Sequence, residues 1–381
     1  MINAAYIHIP FCEHICHYCD FNKFYLKGQP VAEYLTALEK EMEMTLKQFP
    51  TERLKTIFIG GGTPTSLNEQ QLAKLCESIT NYLPKSDEIE FTFEANPGDL
   101  TIEKLHILKQ SGVNRIRLGV QTFNDELLAR IGRAHKAKDV FTSIENMKKI
   151  GFTNISIDLI FSLPGQTIAD LQDTLKKAFT LDIQHYSGYS LIIEPKTVFY
   201  NLLKKGKLPR SGEDVEAQMY ELLMEEMDKH GFKQYEISNF AKPGYESKHN
   251  LTYWNNESYY GFGAGAHSFV NGIRRSNIGP LTKYMDTIDK GVLPVFEEHE
   301  VTLTEQMEEE MFLGLRKTNG VSIPTFVKKF GKDPLQLFQQ EIEDLTNKNW
   351  LKITENSISL TNEGRFLGNE VFQSFLGVCN D

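Results

Sequence analysis

Three of the five cysteines in this sequence fall within eight positions, at Cys12, Cys16 and Cys19. Thiolates spaced this closely can hold one metal centre within a single loop. A zinc ion would take His14 or His17 as its fourth ligand, whereas an iron–sulfur cluster held by three thiolates would leave one iron open. The cysteines alone do not separate these two centres, and three unrelated buried thiols are the alternative without a metal.

The cysteine loop follows the first of six predicted strands. The strands are short β-rich runs at 4–9, 54–60, 88–95, 113–120, 152–159 and 183–192. The helices predicted after them lie at 31–48, 68–82, 101–111, 124–149, 167–180 and 211–231. Strands that alternate with helices and are nearly continuous in apolar residues predict a parallel α/β sheet. Six such units form a partial or full barrel or a doubly wound open sheet, which periodicity does not separate.

The last third of the chain follows two other patterns. Residues 241–300 are rich in aromatic residues and glycine, and helices are predicted at 304–317, 322–330 and 334–347. A hairpin over 350–354 and 357–360 and a last helix to about residue 375 complete an order typical of a winged helix. We therefore predict a barrel domain (1–240), a connecting segment (241–300) and a smaller winged-helix-like α+β domain (301–381).

Charge argues against nucleic acid as a partner. The chain has 41 basic and 51 acidic residues, a net charge of −10. Residues 300–381 carry eight basic and thirteen acidic residues, so the winged-helix-like domain should not bind a phosphate backbone. The sequence has no apolar run of about 18 residues, which a membrane span needs. Because its first basic residue is Lys23 and its cysteine count is odd, we expect a cytoplasmic protein.

The spacing Cys12-x3-Cys16-x2-Cys19 resembles the signature of the radical S-adenosylmethionine (SAM) superfamily. Further motifs occur in the order of its coproporphyrinogen-oxidase-like branch, and they are Tyr6, Gly60-Gly-Gly-Thr-Pro-Thr65, Phe93-Glu94-Ala-Asn-Pro97, Leu118-Gly-Val-Gln121, Gly132-Arg133-Ala-His135 and Asp158-Leu-Ile-Phe-Ser-Leu-Pro-Gly-Gln166. The resemblance covers nearly the whole chain. It implies a partial (β/α)6 TIM-like barrel, a [4Fe–4S] cluster on the three cysteines, and SAM bound to the open iron.

The resemblance also implies which residues surround SAM. They are Tyr6, Tyr18, Gly61, Gly62, Thr63, Glu94, Gln121, Arg133 and Asp158. In a parallel barrel the carboxyl ends of the strands meet on one face, and Glu94, Gln121 and Asp158 lie at the ends of predicted strands. Each residue has a structural alternative, such as a tight turn for the glycines or a surface salt bridge for Arg133. Their joint order along the chain favours a binding site.

The branch contains two functional classes, the oxygen-independent coproporphyrinogen III oxidases and the HemW-type heme chaperones, which deliver heme to respiratory proteins. The oxidase motif has a fourth cysteine where this chain has Phe21, and a long extension precedes the oxidase residue that matches Tyr6. The chaperone class carries a His-Asn-x-x-Tyr-Trp motif, which matches 249–254 here. The resemblance favours a heme chaperone, with the oxidase or a radical SAM enzyme for an unrelated substrate as alternatives.

The resemblance implies heme-binding residues in this motif, and they are His249, Tyr253 and Trp254. Heme iron takes an axial histidine, and His267 is a second candidate. Arg274 and Arg275 are candidates for binding the propionates. An aromatic packing loop without a ligand is the structural alternative. The expected partners are heme and heme-accepting respiratory proteins, which the protein would reach by transient contact with a membrane.

Overall fold

Residues 2–379 are described by a computed structural model, and up to residue 230 they alternate between strands and helices. The strands are β1 (Ala4–Ile9), β2 (Phe11–Cys12), β3 (Phe24–Tyr25), β4 (Leu54–Gly61), β5 (Lys85–Ala95), β6 (Arg115–Gln121), β7 (Asn154–Phe161) and β8 (His185–Ser190). The helices are α1 (Val31–Gln48), α2 (Glu69–Tyr82), α3 (Ile102–Gln110), α4 (Asp125–Arg130), α5 (Ala137–Lys149), α6 (Ile168–Phe179), α7 (Val198–Lys204) and α8 (Glu213–Lys229). All six predicted strands are present, each within three residues of its predicted bounds.

The six predicted strands lie side by side and parallel, in the order β1-β4-β5-β6-β7-β8. The prediction of a parallel α/β sheet is therefore confirmed. The register places Glu94 beside Arg117 and Gly119 beside Asp158. Polar residues from neighbouring strands are thus brought together, although they are far apart in the sequence.

Residues 233–300 extend the sheet at both ends. Their elements are β9 (Lys233–Glu236), β10 (Asn239–Ala241), α9 (Lys248–Trp254), β11 (Tyr259–Phe262), β12 (His267–Val270), β13 (Ile273–Asn277), α10 (Leu281–Asp289) and β14 (Val295–Glu300). The full order is β14-β13-β12-β11-β1-β4-β5-β6-β7-β8-β10-β9, in which β11 is parallel to β1 and the end strands β14 and β9 do not pair with each other, as in a partial barrel. The sequence did not predict these strands, because they are three to six residues long and several are flanked by glycine.

The C-terminal region has its own hydrophobic core, separate from that of the large sheet. Its elements are α11 (Leu303–Gly314), β15 (Val321–Ser322), α12 (Ile323–Phe330), α13 (Pro334–Leu337), α14 (Gln339–Asn347), β16 (Leu351–Ile353), β17 (Ser357–Leu360), α15 (Asn362–Phe366) and α16 (Gly368–Gln373). Helices followed by a hairpin match the predicted order, although the predicted last helix is two short ones. No helix within residues 2–379 has both the length and the apolar character of a membrane span.

Candidate functional site

The three clustered cysteines lie in a loop whose two ends are joined. β2 and β3 pair in parallel and close the loop, and Lys23 Nζ donates to Cys19 O at 2.6 Å. Cys12 is buried, whereas Cys16 and Cys19 are half-buried. The pKa of the Cys12 thiol is raised to about 11, mainly by burial, and the neighbouring Cys19 and Cys16 thiols contribute in the same direction. The three sulfur atoms are therefore within electrostatic reach of one another.

Several neighbours of the thiols fit a bound anionic metal centre. Thr63 Oγ1 lies 3.8 Å from Cys12 Sγ, and Arg133 Nη1 lies 3.4 Å from Cys16 Sγ. A Cβ on Gly62 would be 2.9 Å from Cys12 Sγ, so only glycine leaves this side of the thiol open. A hydroxyl, a guanidinium and an uncovered backbone around three thiols suit a cluster held by thiolates.

The zinc alternative needs a histidine beside the three thiols, and the structure gives one of the two candidates another partner. His17, one of the two candidate fourth ligands, instead bonds through Nδ1 to Arg130 O at 2.9 Å. Its ring also packs against Gly132, where a Cβ would be 2.8 Å from the imidazole. His17 thus fixes the end of α4 to the cysteine loop.

The glycines at the end of β4 allow two side chains to approach the backbone. A Cβ on Gly60 would be 2.6 Å from Glu94 Oε2, and a Cβ on Gly61 would be 2.6 Å from His8 Nδ1. Gly61 has φ of +114° and its N–H donates to Glu94 Oε2 at 3.3 Å. The glycines are therefore needed because Glu94 and His8 pack closely against the backbone here. This requirement is more specific than that of a tight turn.

Glu94 and Asp158, the two predicted SAM-binding carboxylates, meet at one arginine. Arg117 Nε lies 2.8 Å and 2.9 Å from the two carboxylate oxygens of Asp158, and Arg117 Nη1 lies 3.8 Å from Glu94 Oε1. Burial raises the pKa of Glu94 to about 7, although Arg117 acts in the opposite direction. Asp158 does not end its strand as expected, because β7 continues to Phe161. Its side chain still reaches the same cluster of charges.

Gln121 and Arg133 meet at Gly119, where an added Cβ would be 3.0 Å from Gln121 Nε2 and 2.9 Å from Arg133 Nη2. Gln121 is buried at the end of β6 with φ of +68°, a left-handed conformation that is rare outside glycine. Arg133 Nη2 donates to Asn96 Oδ1 at 2.7 Å and to Gly119 O. Arg133 lies in a non-helical segment, residues 131–136, between α4 and α5. The prediction of a single helix over 124–149 is therefore wrong.

The two predicted tyrosines flank the cysteine loop. Tyr6 OH is 2.9 Å from His8 Nδ1, and His8 Nε2 is 2.7 Å from Asn22 O, which links β1 to the loop. Tyr18 packs against a small apolar cluster that includes Leu163 and Phe199. Both tyrosines are half-buried, as residues between a core and a ligand site would be.

The predicted heme motif lies beneath the predicted SAM site. His249 is 1% exposed; its Nδ1 is 2.8 Å from Thr56 Oγ1 and its Nε2 is 2.8 Å from Tyr253 OH. Burial lowers the pKa of His249 to about 3, so the imidazole is neutral at pH 7. A neutral imidazole can bind iron, but in this conformation both ring nitrogens are hydrogen-bonded to hydroxyl groups.

Helix α9, which carries His249, is held by a buried ion pair. Glu90 accepts the backbone N–H groups of Lys248 and His249, each at 3.0 Å, and lies 3.5 Å from Arg115 Nη1. A carboxylate at a helix N-terminus is favoured by the unpaired N–H groups there. Trp254, at the other end of α9, lies 5.0 Å from the Arg316 guanidinium near the C-terminal domain.

The residues proposed to bind heme propionates are already paired. Arg274 binds both carboxylate oxygens of Glu309, at 2.7 Å and 3.0 Å, and Arg275 Nε is 3.2 Å from Glu298 Oε2. His267, the second candidate axial ligand, is exposed on β12. In this conformation it is therefore the more accessible of the two histidines.

Sequence reasoning missed two residues that organise the site. Arg117 joins the carboxylates, and the Phe58 ring lies between the rings of Tyr6 and His249, with centroids 6.2 Å and 5.1 Å away. The signal for Arg117 was present, since arginines at 115 and 117 occur in an otherwise apolar predicted strand. Phe58 had no such signal, because an apolar residue in a buried strand is expected.

Comparisons with known proteins agree with this geometry. Residues 6–178 match the radical SAM superfamily and residues 301–367 match the HemN C-terminal domain. Heme chaperone HemW of Bacillus subtilis (strain 168) is 58% identical over 377 residues, with 99% of this chain and 100% of the relative covered. Heme chaperone HemW of Lactococcus lactis subsp. lactis (strain IL1403) is 46% identical, with 98% of this chain and 97% of the relative covered.

One solved structure shares the fold over nearly the whole chain. It is the Escherichia coli coproporphyrinogen III oxidase HemN, a radical SAM enzyme, with a TM-score of 0.86 at 22% identity. The match covers 98% of this chain and 90% of that one. At this identity the likeness concerns the fold alone, and it confirms the predicted radical SAM architecture with its smaller C-terminal domain.

Proposed function

Because the chain belongs to the family of HemW heme chaperones within the radical SAM superfamily, we propose that it binds heme reversibly and delivers it to respiratory-chain proteins. In this proposal a [4Fe–4S] cluster binds to Cys12, Cys16 and Cys19, and SAM binds beside it. The cluster, when bound, supplies an open iron for the amino and carboxylate groups of SAM. The acceptors are respiratory proteins, which the carrier meets by transient contact with a membrane.

One observation carries this proposal, an aromatic column that runs from the proposed SAM site to the proposed heme site. The Phe58 ring is stacked on Tyr6, a proposed SAM-binding residue, and on His249, in the heme motif, with interplanar angles of 27° and 25°. Tyr253 then packs edge-on against both His249 and Tyr259. Since packed side chains transmit small shifts, SAM and heme should each sense whether the other is bound.

In this proposal each residue of the site contacts a different part of SAM or of the cluster. Glu94 accepts a hydrogen bond from the amino group of SAM, and Gln121 and Asp158 bind ribose and adenine. The backbone of Gly61 and Gly62 lets the ligand lie close to the sheet. Arg133 holds the Cys16 side of the loop at 3.4 Å and shields the negative charge of a cluster there.

Two assays separate the proposed function from the oxidase alternative. Anaerobically reconstituted protein of measured iron content is given coproporphyrinogen III, SAM and a reductant, and the products are separated by chromatography. We expect no protoporphyrinogen, in keeping with Phe21, whose side chain is 64% exposed where the oxidase motif has its fourth cysteine. Multiple turnovers would instead establish an oxidase. In parallel, heme titration should give a saturable Soret band.

SAM affinity should depend on pH through Glu94. With a pKa of about 7, this carboxyl is mostly protonated below pH 7 and accepts a hydrogen bond from the amino group less well. The α-amino group of SAM loses its proton at about pH 7.7 and must do so to bind iron, a pH dependence that the wild type and Glu94→Gln share. We therefore expect SAM to bind at least about tenfold more weakly at pH 5.5 than at pH 7.5, as measured by equilibrium dialysis. Glu94→Gln should bind weakly at both pH values, and an equally steep pH profile in that variant would contradict the assignment.

A further inference from the structure

Arg117 occupies the space in front of both predicted SAM-binding carboxylates. Its guanidinium contacts both oxygens of Asp158 through Nε, and Nη2 donates to Tyr189 OH at 2.5 Å. Nη1 is turned toward Glu94 at 3.8 Å. The side chain is only 15% exposed, so this cation is built into the site.

The surroundings of Arg117 hold it on the inner face of the sheet. The register pairs Arg117 with Glu94 on β5, and the guanidinium lies 5.9 Å from the Phe58 ring centre and 5.8 Å from that of Tyr189. The planar group therefore lies near two aromatic rings and is hydrogen-bonded at its edge. Its contact with Asp158 is closer than its contact with Glu94, which still has an oxygen facing the Gly61 backbone.

The charge of SAM determines how Arg117 affects the affinity of the site for SAM. Free SAM has a net charge of +1, and its sulfonium stays positive when its amino and carboxylate groups bind the open iron. Two ionised carboxylates would attract the sulfonium strongly, but Arg117 neutralises one of the two negative charges. In a site this buried, the repulsion between two cations is only weakly screened.

We propose that Arg117 is an internal cation that competes with SAM for Glu94 and Asp158 and thereby sets the SAM affinity. This inference rests on the proposed SAM site. A site with lowered affinity binds and releases SAM as the SAM concentration changes. Reversible binding of this kind suits a carrier that uses SAM as an effector. Bound SAM would displace the guanidinium from Asp158 or share that carboxylate with it.

The test compares variants at residue 117 in the full-length, cluster-loaded protein. Arg117→Gln removes the charge but keeps an N–H donor for Asp158, and Arg117→Lys, the matched control, keeps the charge. Arg117→Met is a second neutral variant in case the amide perturbs folding. Dissociation constants for SAM and for S-adenosylhomocysteine, which lacks the sulfonium charge, are measured by anaerobic equilibrium dialysis, together with iron content and thermal unfolding.

The neutral variants are expected to bind SAM at least about tenfold more tightly than the wild type, a change of about 1.4 kcal/mol. Arg117→Lys should remain within about threefold of the wild type. S-adenosylhomocysteine should gain less than SAM. If the wild type binds SAM and the neutral variants bind it equally or more weakly, the inference is overturned and the proposed SAM site stands. If no cluster-loaded variant binds SAM, the SAM part of the proposed function fails together with the inference.

Discussion

Replacing Cys12, Cys16 or Cys19 with alanine, one at a time, should leave the reconstituted protein without its brown chromophore and with almost no bound iron. A cubane cluster needs its thiolates, and two remaining thiols leave two irons without protein ligands. The neighbouring groups are not replacements, since Arg133 beside Cys16 is a cation and Thr63 beside Cys12 offers only a hydroxyl. The measurements are visible absorption, low-temperature electron paramagnetic resonance, and iron and sulfide content.

The chain provides matched controls for this experiment. Cys76 is buried in α2, and the backbone N–H of Cys379 donates to Glu308 at 2.9 Å; neither lies in the cysteine loop. Cys76→Ala and Cys379→Ala should therefore keep the full cluster content. A complete iron–sulfur spectrum in any variant of the loop cysteines would refute the ligand assignment. Equal loss in the controls would show that the effect comes from general instability.

The six parallel strands of the large sheet could be predicted because each is a short β-rich run between amphipathic helices. The helical pattern of 124–149 failed for a different reason: its apolar residues keep helical spacing across Gly132, whose φ of +77° ends the helix. The strands of 233–300 escaped prediction because their partners are remote. β11, for example, pairs with β1 about 255 residues earlier, and nothing in its four residues indicates that neighbour.

The site was predictable to the extent that its residues lie at strand ends. The sequence order places Glu94 and Gln121 at the carboxyl ends of neighbouring strands, and the structure brings them to one region of the sheet. The sequence could not show which residues contact these two. Arg117 and Asp158 are 41 positions apart, and Thr56 and His249 are 193 positions apart, so only the folded structure shows that they touch.

Those unpredicted contacts change the chemistry expected of the site. Without Arg117, two buried carboxylates would repel each other; with it, Asp158 is fully paired and Glu94 only loosely. Thr56 and Tyr253 likewise give both His249 nitrogens a hydrogen-bond partner. At both predicted ligand sites, therefore, a ligand would have to replace contacts that the protein makes with its own side chains.

His249→Ala should weaken heme binding at least about tenfold and shift the Soret band, because the variant lacks the proposed axial nitrogen. The change also leaves the buried Thr56 hydroxyl unpaired, which costs about 1–3 kcal/mol of stability, so thermal unfolding must be measured on the same samples. His106→Ala, on the exposed side of α3, is the control and should titrate like the wild type. An unchanged titration would remove His249 as the ligand, and loss of binding in His267→Ala would transfer the role to His267.

Tyr253→Phe tests the same ligand without removing it. The hydroxyl that bonds to His249 Nε2 at 2.8 Å is lost, whereas the ring that packs on Tyr259 is kept. If Nε2 is the iron ligand, heme no longer has to displace a hydrogen bond, so Tyr253→Phe should bind heme more tightly or faster than the wild type. Weaker binding would show instead that the tyrosine hydroxyl itself contacts heme. Opposite effects of His249→Ala and Tyr253→Phe would show that heme must break the Tyr253–His249 hydrogen bond in order to bind His249.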